Sequence, residues 1–175
     1  MKTTSKQYMS NIIFIHGLES SGQGFKGNLL RKELPGCLTP NFKEFTEEIT
    51  FQKLLDERMT QLMSILKKKQ SWIIIGSSFG GIMGALYTSR FPEKVEQLIL
   101  LAPALAGFLD PNVISPINVP VTVYHGRQDK VIPLKSVRSW ADKIFLNLKF
   151  NEVDDDHMLH STVTKIDWKK LIRDT

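Results

Sequence analysis

The sequence predicts an α/β fold, a doubly wound, mostly parallel sheet of about six strands with helices on both faces. Three observations predict it: short apolar segments recur along the chain, helical patterns lie between them, and a glycine-rich turn follows one apolar segment directly. Strands that alternate with helices are joined by right-handed crossovers and become parallel. Because 175 residues suit one hydrophobic core, we expect residues 1–175 to form a single domain.

The predicted strands are short segments rich in apolar and β-branched residues, as in a sheet buried on both faces. The five clearest segments are 11–15, 71–75, 95–102, 120–125 and 146–153. A sixth, weaker candidate is segment 37–42, where Pro40 suits only an edge strand or a strand end.

The clearest predicted helix begins after Thr50, a residue type that caps helix N-termini. Its apolar residues recur at i, i+3 and i+4, a pattern that predicts a stripe packed in the core. The stripe consists of Phe51, Leu54, Leu55, Met59, Leu62, Met63 and Leu66. Further helices are predicted at about 25–34, 79–90, 134–144 and 160–172.

Composition indicates an ordinary globular protein, with 42% hydrophobic residues, 23% charged residues and a net charge of +5. The densest basic run, Lys67 to Lys69, is typical of a solvated helix end. No basic stripe predicts nucleic-acid binding, so we expect a small molecule as the partner. No feature of the sequence indicates an oligomeric state.

We expect a cytoplasmic protein. The single cysteine, Cys37, cannot form an internal disulfide, and the apolar run after the N-terminus is too short for a signal peptide. The longest apolar stretch, 98–109, contains Pro103 and is shorter than the roughly 18 residues that a membrane-spanning helix needs. No membrane span is therefore expected.

The segment GSSFG places Ser78 between Gly76 and Gly80, at a predicted strand-to-helix turn. Ligands of such sheets collect at the carboxyl ends of the strands. A serine hydroxyl projects upward from this turn only if the chain bends sharply, which requires neighbours without side chains. Ser78 is therefore predicted to be a nucleophile, and Gly81 and Gly84 are predicted to let the next helix pack closely on the sheet.

A serine nucleophile needs a base within hydrogen-bonding reach. Of the four histidines, His157 follows the last predicted strand and is the predicted base, whereas His160 is expected to begin the last helix. His16 and His125 are each followed by glycine and are predicted to shape their loops. The spacing of His157 and His160 is not that of a helical zinc pair, so no metal is expected.

The base needs a carboxylate that orients it. Asp129 lies on a turn-like loop just after the fourth of the five clear strands, and it is the predicted acid. Asp110 is an alternative supplied from the neighbouring strand. Residues 154–156 are three aspartates next to His157, and we expect them to form a solvated acidic turn or a helix cap.

The chain resembles the α/β-hydrolase superfamily, in particular its small bacterial serine esterases without a lid. The resemblance rests on the chain order Ser78, Asp129, His157 and on four segments: FIHGLESSG, GSSFGG, YHGRQDKVIP and DDDHML. The chain departs from the family pattern in two places: its first predicted strand corresponds to the family's third, and the large lid between the third and fourth of the five clear strands is missing. We therefore expect a minimal fold without the lid domain and without the usual first two strands. The resemblance also implies that the backbone N–H groups of Leu18 and Phe79 stabilise the oxyanion of a tetrahedral intermediate.

The expected function is that of a serine hydrolase, first of all a carboxylesterase acting on small esters through an acyl-enzyme, with no cofactor. A thioesterase uses the same mechanism. A lyase or carbon–carbon hydrolase on the same fold and a non-catalytic binding protein are the rivals from other classes.

A second glycine motif suggests nucleotide binding, an alternative that the spacing disfavours. Gly22, Gly24 and Gly27 form G-x-G-x-x-G with Glu44 about 20 residues on, but HGLESS separates them from the strand end. A phosphate-binding loop from Gly17 also fails, because Gln23 occupies the position of the required lysine.

Overall fold

The computed structural model describes residues 11–67, 71–106, 110, 112 and 114–172. Within them, five parallel strands form one sheet in the order of the chain. The strands are Asn11–Ile15 (β1), Trp72–Ser77 (β2), Val95–Leu101 (β3), Val121–Gly126 (β4) and Leu148–Val153 (β5). All five clear strand predictions are confirmed to within two residues at each end.

Helices connect the strands. They are Phe25–Glu33 (α1), Phe51–Leu66 (α2), Phe79–Arg90 (α3), Leu134–Ile144 (α4), His160–Lys165 (α5) and Trp168–Leu171 (α6), with a 3₁₀ turn at Pro92–Lys94. Residues 102–120 alone separate β3 from β4, which leaves no room for an inserted lid domain. Of the helices in the described ranges, none combines the length and apolar character needed to cross a membrane.

Two hydrophobic cores cover the two faces of the sheet, because side chains alternate along each strand. Ile13, Ile74 and Leu98 belong to the core beneath α2, α3 and α4. The residues next to them along each strand point to the opposite core, which includes Leu30 of α1 and Trp168 of α6. Helices therefore lie on both faces, as predicted.

The predicted sixth strand, segment 37–42, forms only a single β-bridge, between Leu38 and Ile13. Leu38 N–H donates to Ile12 O at 2.9 Å and Phe14 N–H donates to Leu38 O at 2.8 Å, beside β1. The next ladder bond would need an N–H from Pro40, which has none. The sheet formed by the described residues accordingly has five strands instead of about six.

The predicted last helix, 160–172, is two short helices. α5 ends at Lys165, Ile166 is extended, and the Asp167 carboxylate caps α6 by accepting from Lys170 N–H at 3.0 Å. Aspartate favours such a cap because its side chain competes with continuing helical hydrogen bonds.

The α2 helix begins as predicted, with the Thr50 hydroxyl accepting from Lys53 N–H at 3.3 Å. Two members of the predicted stripe, Phe51 and Met63, are instead exposed by 45% and 39%. The buried face includes Arg58, which has no exposed surface. The helix ends at Leu66, and Lys68 and Lys69 of the basic run lie outside the described residues.

Candidate active site

Ser78 lies on a strained turn between β2 and α3. Its φ of 51° and ψ of −113° are outside the regions that residues with side chains ordinarily adopt. The turn is held because Ser78 N–H donates to Leu101 O at 2.9 Å, while Ser78 O accepts from Gly81 N–H at 2.9 Å. Strain of this kind persists only when surrounding bonds enforce it, and it is typical of functional positions.

The glycines around Ser78 allow close backbone approach. A Cβ at Gly76 would lie 2.5 Å from Gly80 O, and one at Gly80 would overlap Ile15 O at the end of β1. At Gly81 it would lie 2.7 Å from Pro103 Cβ. The spacing of the glycines thus brings α3 down against the ends of β1 and β2, as a sharp turn at Ser78 requires.

We expect Gly80→Ala to lower the free energy of unfolding by about 3 kcal/mol, because the new Cβ would overlap rigid backbone rather than a flexible side chain. Gly84→Ala is the matched control in the same helix. Its Cβ would meet only the side-chain ends of Leu98 at 3.1 Å and Ile74 at 3.2 Å, and alanine favours the helix by about 1 kcal/mol. Urea unfolding of both variants checks this; equal losses would contradict the assigned contact.

Three side chains from distant segments form one hydrogen-bonded row at the carboxyl end of the sheet. Ser78 Oγ lies 3.1 Å from His157 Nε2, and His157 Nδ1 lies 2.7 Å from Asp129 Oδ2. The Asp129 side chain is fully buried, whereas that of His157 is 16% exposed. Because a carboxylate only accepts, Nδ1 carries the hydrogen and Nε2 accepts from the Ser78 hydroxyl.

The Asp129 carboxylate is fixed from a second side. Its Oδ1 accepts from Val131 N–H and Ile132 N–H, both at 2.8 Å, within the loop that follows β4. These bonds stop the carboxylate from rotating, so Oδ2 remains aimed at His157. The carboxylate is therefore oriented by its own loop.

His125, which the sequence suggested only as a loop-shaping residue, also contacts this carboxylate. Its Nε2 lies 3.3 Å from Asp129 Oδ2 and 2.9 Å from Ile132 O. Burial lowers the pKa of His125, although the bond to Ile132 O and the nearby carboxylate oppose the shift. His125 is thus a neutral ring that donates to Ile132 O and lies beside the Asp129 carboxylate, and its place four residues before Asp129 at a strand end was the available sequence signal.

His16 holds the loop after β1, as predicted, and does so as a neutral ring. Its Nδ1–H donates to Gly17 O at 2.8 Å, and its Nε2 accepts from Phe42 N–H at 3.0 Å. Burial lowers the pKa of His16. The hydrogen bond to Gly17 O raises this pKa by a smaller amount, and the nearby Arg58 charge lowers it further. The loop holds Gly17, the residue before Leu18, close to Ser78: a Cβ added at Gly17 would lie 3.5 Å from Ser78 Cβ.

We expect the free energy of unfolding to fall as pH is lowered from 7.5 to 5.5. His16 and His125 have folded-state pKa values below the ordinary 6.5, so the unfolded chain binds more protons once pH falls below that value. The slope is at most about 1.4 kcal/mol per pH unit for each histidine. Urea unfolding measures it, and His16→Gln, whose amide can keep both bonds, should make it shallower. Constant stability over this range would contradict the neutral assignment.

The other candidate acids and bases, His160, Asp110 and Asp155, have their contacts away from Ser78. His160 begins α5, and its ring packs at a tilt against Phe25 with centroids 4.2 Å apart. Asp110 accepts locally from Asn112. Asp155 accepts from Thr162 N–H and Oγ–H, both at 2.8 Å, which makes it a cap for α5.

The glycine motif of the first loop has its amides already engaged. Gly22 N–H donates to Asn41 Oδ1 at 2.8 Å, and Gly24 N–H donates to Ser21 O at 3.1 Å. A Cβ at Gly27 would overlap Gly22 O. These glycines therefore serve loop packing, and this geometry offers no phosphate cradle.

Comparison with known protein families places residues 11–116 within a family described as having the alpha/beta hydrolase fold. A comparison with curated proteins found no match.

Solved structures share the fold at low sequence identity. A protein of the alpha/beta hydrolase superfamily from Xanthomonas campestris is 23% identical, with 95% of this chain and 99% of that chain covered and a TM-score of 0.75. Est1E from Butyrivibrio proteoclasticus, solved with ferulic acid, is 17% identical over 93% and 88%, with a TM-score of 0.74. A serine hydrolase from Cycloclasticus zankles is 15% identical over 94% and 90%, with a TM-score of 0.71.

Proposed function

Because the chain belongs to the α/β-hydrolase family, we propose that it is a serine hydrolase that cleaves carboxylic esters through an acyl-enzyme. One observation carries the proposal: the row Ser78 Oγ, His157 Nε2, His157 Nδ1 and Asp129 Oδ2, with distances of 3.1 and 2.7 Å. A hydroxyl, an imidazole and a buried carboxylate in this succession are the groups that activate serine for attack on an acyl carbon.

In the proposed first half-reaction, His157 Nε2 takes the Ser78 proton while Oγ attacks the ester carbonyl carbon. The imidazolium that forms is stabilised by the Asp129 carboxylate, which keeps its charge. When the carbon–oxygen bond of the leaving group breaks, His157 gives the proton to the departing alcohol. Water then repeats the sequence on the acyl-enzyme and releases the carboxylic acid.

The tetrahedral intermediate carries a negative oxygen that needs donors already in place. We assign this role to the backbone N–H groups of Leu18 and Phe79, one on the loop after β1 and the other at the first residue of α3. No hydrogen bond within the described residues engages the Leu18 N–H. Losing one such donor costs about 10²–10³-fold in kcat, so the positions of both backbones matter.

The proposed substrates are small esters. Residues 102–120, which connect β3 with β4, are too few for an inserted domain, and no such domain covers Ser78 in the described part of the chain. Thioesters fit the same mechanism, because only the leaving atom differs. An oxygen ester and a thioester that carry the same acyl group would distinguish the two activities, because the preferred substrate has the higher kcat/KM.

The test combines covalent labelling with turnover. We expect a fluorophosphonate to modify Ser78, mapped by mass spectrometry, and we expect turnover of p-nitrophenyl esters in a chain-length series. Ser77→Ala, which removes the neighbouring buried serine, is the matched control and should label like the wild type.

The outcomes separate the rival functions. Labelling at Ser78 without turnover of any oxygen ester or thioester would favour carbon–carbon cleavage or lyase chemistry. Absence of both labelling and turnover would contradict the hydrolase and favour a binding protein.

A further inference from the structure

Arg58 of α2 is a buried arginine whose hydrogen-bond partners in the described residues are backbone carbonyls. Nε donates to Lys43 O at 2.7 Å, Nη1 donates to Gly17 O at 3.1 Å, and Nη2 donates to Leu18 O at 3.0 Å. The residue has no exposed surface, and no carboxylate of the described residues lies within 4 Å of it. Nothing in the sequence pattern predicted this position, since it lies on the apolar face of α2.

The Arg58 guanidinium keeps its charge at neutral pH. Burial lowers its pKa to about 10, still well above 7. Burying a cation without an anionic partner is costly, and neutral donors would satisfy the same carbonyls at lower cost. Packing of the loop alone therefore does not explain why a charged guanidinium, and not a neutral donor, is buried at Arg58.

Two of the three carbonyls belong to the loop that contains the Leu18 donor. Gly17 C=O and Leu18 N–H form one planar trans peptide, in which the oxygen and the hydrogen point in opposite directions. Arg58 Nη1 and His16 Nδ1–H both donate to Gly17 O, at 3.1 and 2.8 Å. Fixing this oxygen from one side fixes the direction of the Leu18 N–H on the other.

Arg58 also contacts the residue that supplies the other donor. Its guanidinium carbon lies 5.3 Å from the centroid of the Phe79 ring, within the range of a cation–π contact. Phe79 is 3% exposed and is the first residue of α3, directly after Ser78. One side chain thus touches both residues to which the oxyanion role is assigned.

We propose that Arg58 is a positioning residue that aligns the Leu18 and Phe79 N–H donors toward the oxyanion, a role that rests on the proposed serine-hydrolase function. The charge adds to alignment, because a cation bound to Gly17 O polarises that peptide and makes Leu18 N–H a stronger donor. The effect is greatest when the substrate oxygen becomes negative, so it acts on kcat rather than on ground-state binding.

The test compares Arg58→Met and Arg58→Lys with the wild type, with rates normalised to active sites titrated by the fluorophosphonate. Normalisation counts only folded, reactive molecules, so instability alone does not lower the rate per site. Arg31→Met is the matched control. Arg31 donates to Gly22 O at 2.8 Å in the same loop but makes no hydrogen bond to Gly17 or Leu18.

We expect Arg58→Met to lower kcat for a p-nitrophenyl ester about 10²-fold while KM changes less than threefold. Arg58→Lys keeps the charge but loses the planar fork, so an intermediate loss of about tenfold is expected. Affinity for a trifluoromethyl ketone, whose adduct with Ser78 carries an oxyanion, should fall in parallel with kcat/KM. Arg31→Met should leave kcat per titrated site unchanged.

Three outcomes would overturn the assignment. If both Arg58 variants keep the wild-type kcat and ketone affinity per titrated site, Arg58 is structural while the proposed hydrolase stands. The same conclusion follows if Arg31→Met loses as much rate as Arg58→Met. A wild-type protein that neither labels at Ser78 nor turns over esters would overturn both the assignment and the proposed function.

Discussion

Replacing Ser78 by alanine is expected to lower kcat for ester hydrolysis by about 10⁶-fold and to abolish fluorophosphonate labelling. The variant removes the atom that attacks the acyl carbon, so no acyl-enzyme can form. KM should change little, because the methyl side chain leaves the surrounding backbone and the assigned oxyanion donors in place. Initial rates with a p-nitrophenyl ester, followed over hours at high enzyme concentration, measure the residual activity.

The same experiment has an internal control in His157→Ala. Residues that act as one unit are not additive, so the double variant of Ser78 and His157 should be about as slow as either single variant. Equal turnover by Ser78→Ala and the wild type would remove Ser78 as the nucleophile. A double variant much slower than both singles would show that the two side chains act independently.

Asp129→Asn is expected to lower kcat by about 10⁴-fold with little change in fold. The reason lies in the hydrogen bonds of the carboxylate. Val131 N–H and Ile132 N–H hold Oδ1, so an asparagine keeps its oxygen there and presents its NH₂ group where Oδ2 faces His157. That NH₂ donates to Nδ1 and leaves the ring hydrogen on Nε2, which then cannot accept the Ser78 proton.

Asp154→Asn is the matched control for Asp129→Asn. Asp154 accepts from Gln128 Nε2 at 2.8 Å near the same loops, and His157 forms its side-chain hydrogen bonds with Asp129 and Ser78 instead. Its variant should keep kcat within about twofold. A wild-type rate in Asp129→Asn, or an equal loss in Asp154→Asn, would contradict the assigned acid.

The architecture was predictable because it depends on local pattern. Apolar strands, an i, i+3, i+4 stripe and glycines around one serine are readable without tertiary contacts, and so are the positions of polar residues just after strand ends. The row of Ser78, His157 and Asp129 follows from parallel strands whose carboxyl ends share one edge of the sheet. The order of the strands needed only the rule that sequential strands tend to be neighbours.

What the sequence missed depends on partners that lie far away along the chain. Arg58 occupies an apolar face because carbonyls of a loop 40 residues earlier satisfy its guanidinium. His125 contacts Asp129 because the loop between them turns back toward the strand end. The predicted sixth strand does not extend past its single bridge, because Pro40 has no amide hydrogen for the next ladder bond. The predicted last helix is divided at Asp167, because the Asp167 side chain caps a new helix there.

The pairing of β3 with β4 has a consequence for engineering. Ser78 and the two assigned oxyanion donors lie before that junction, whereas Asp129 and His157 lie after it. Neither segment alone holds a complete row. Two polypeptides separated within residues 102–120 would regain it only by docking through the β3–β4 pairing and the packing of α1 against α5, so the proposed activity would report proximity between fused partners.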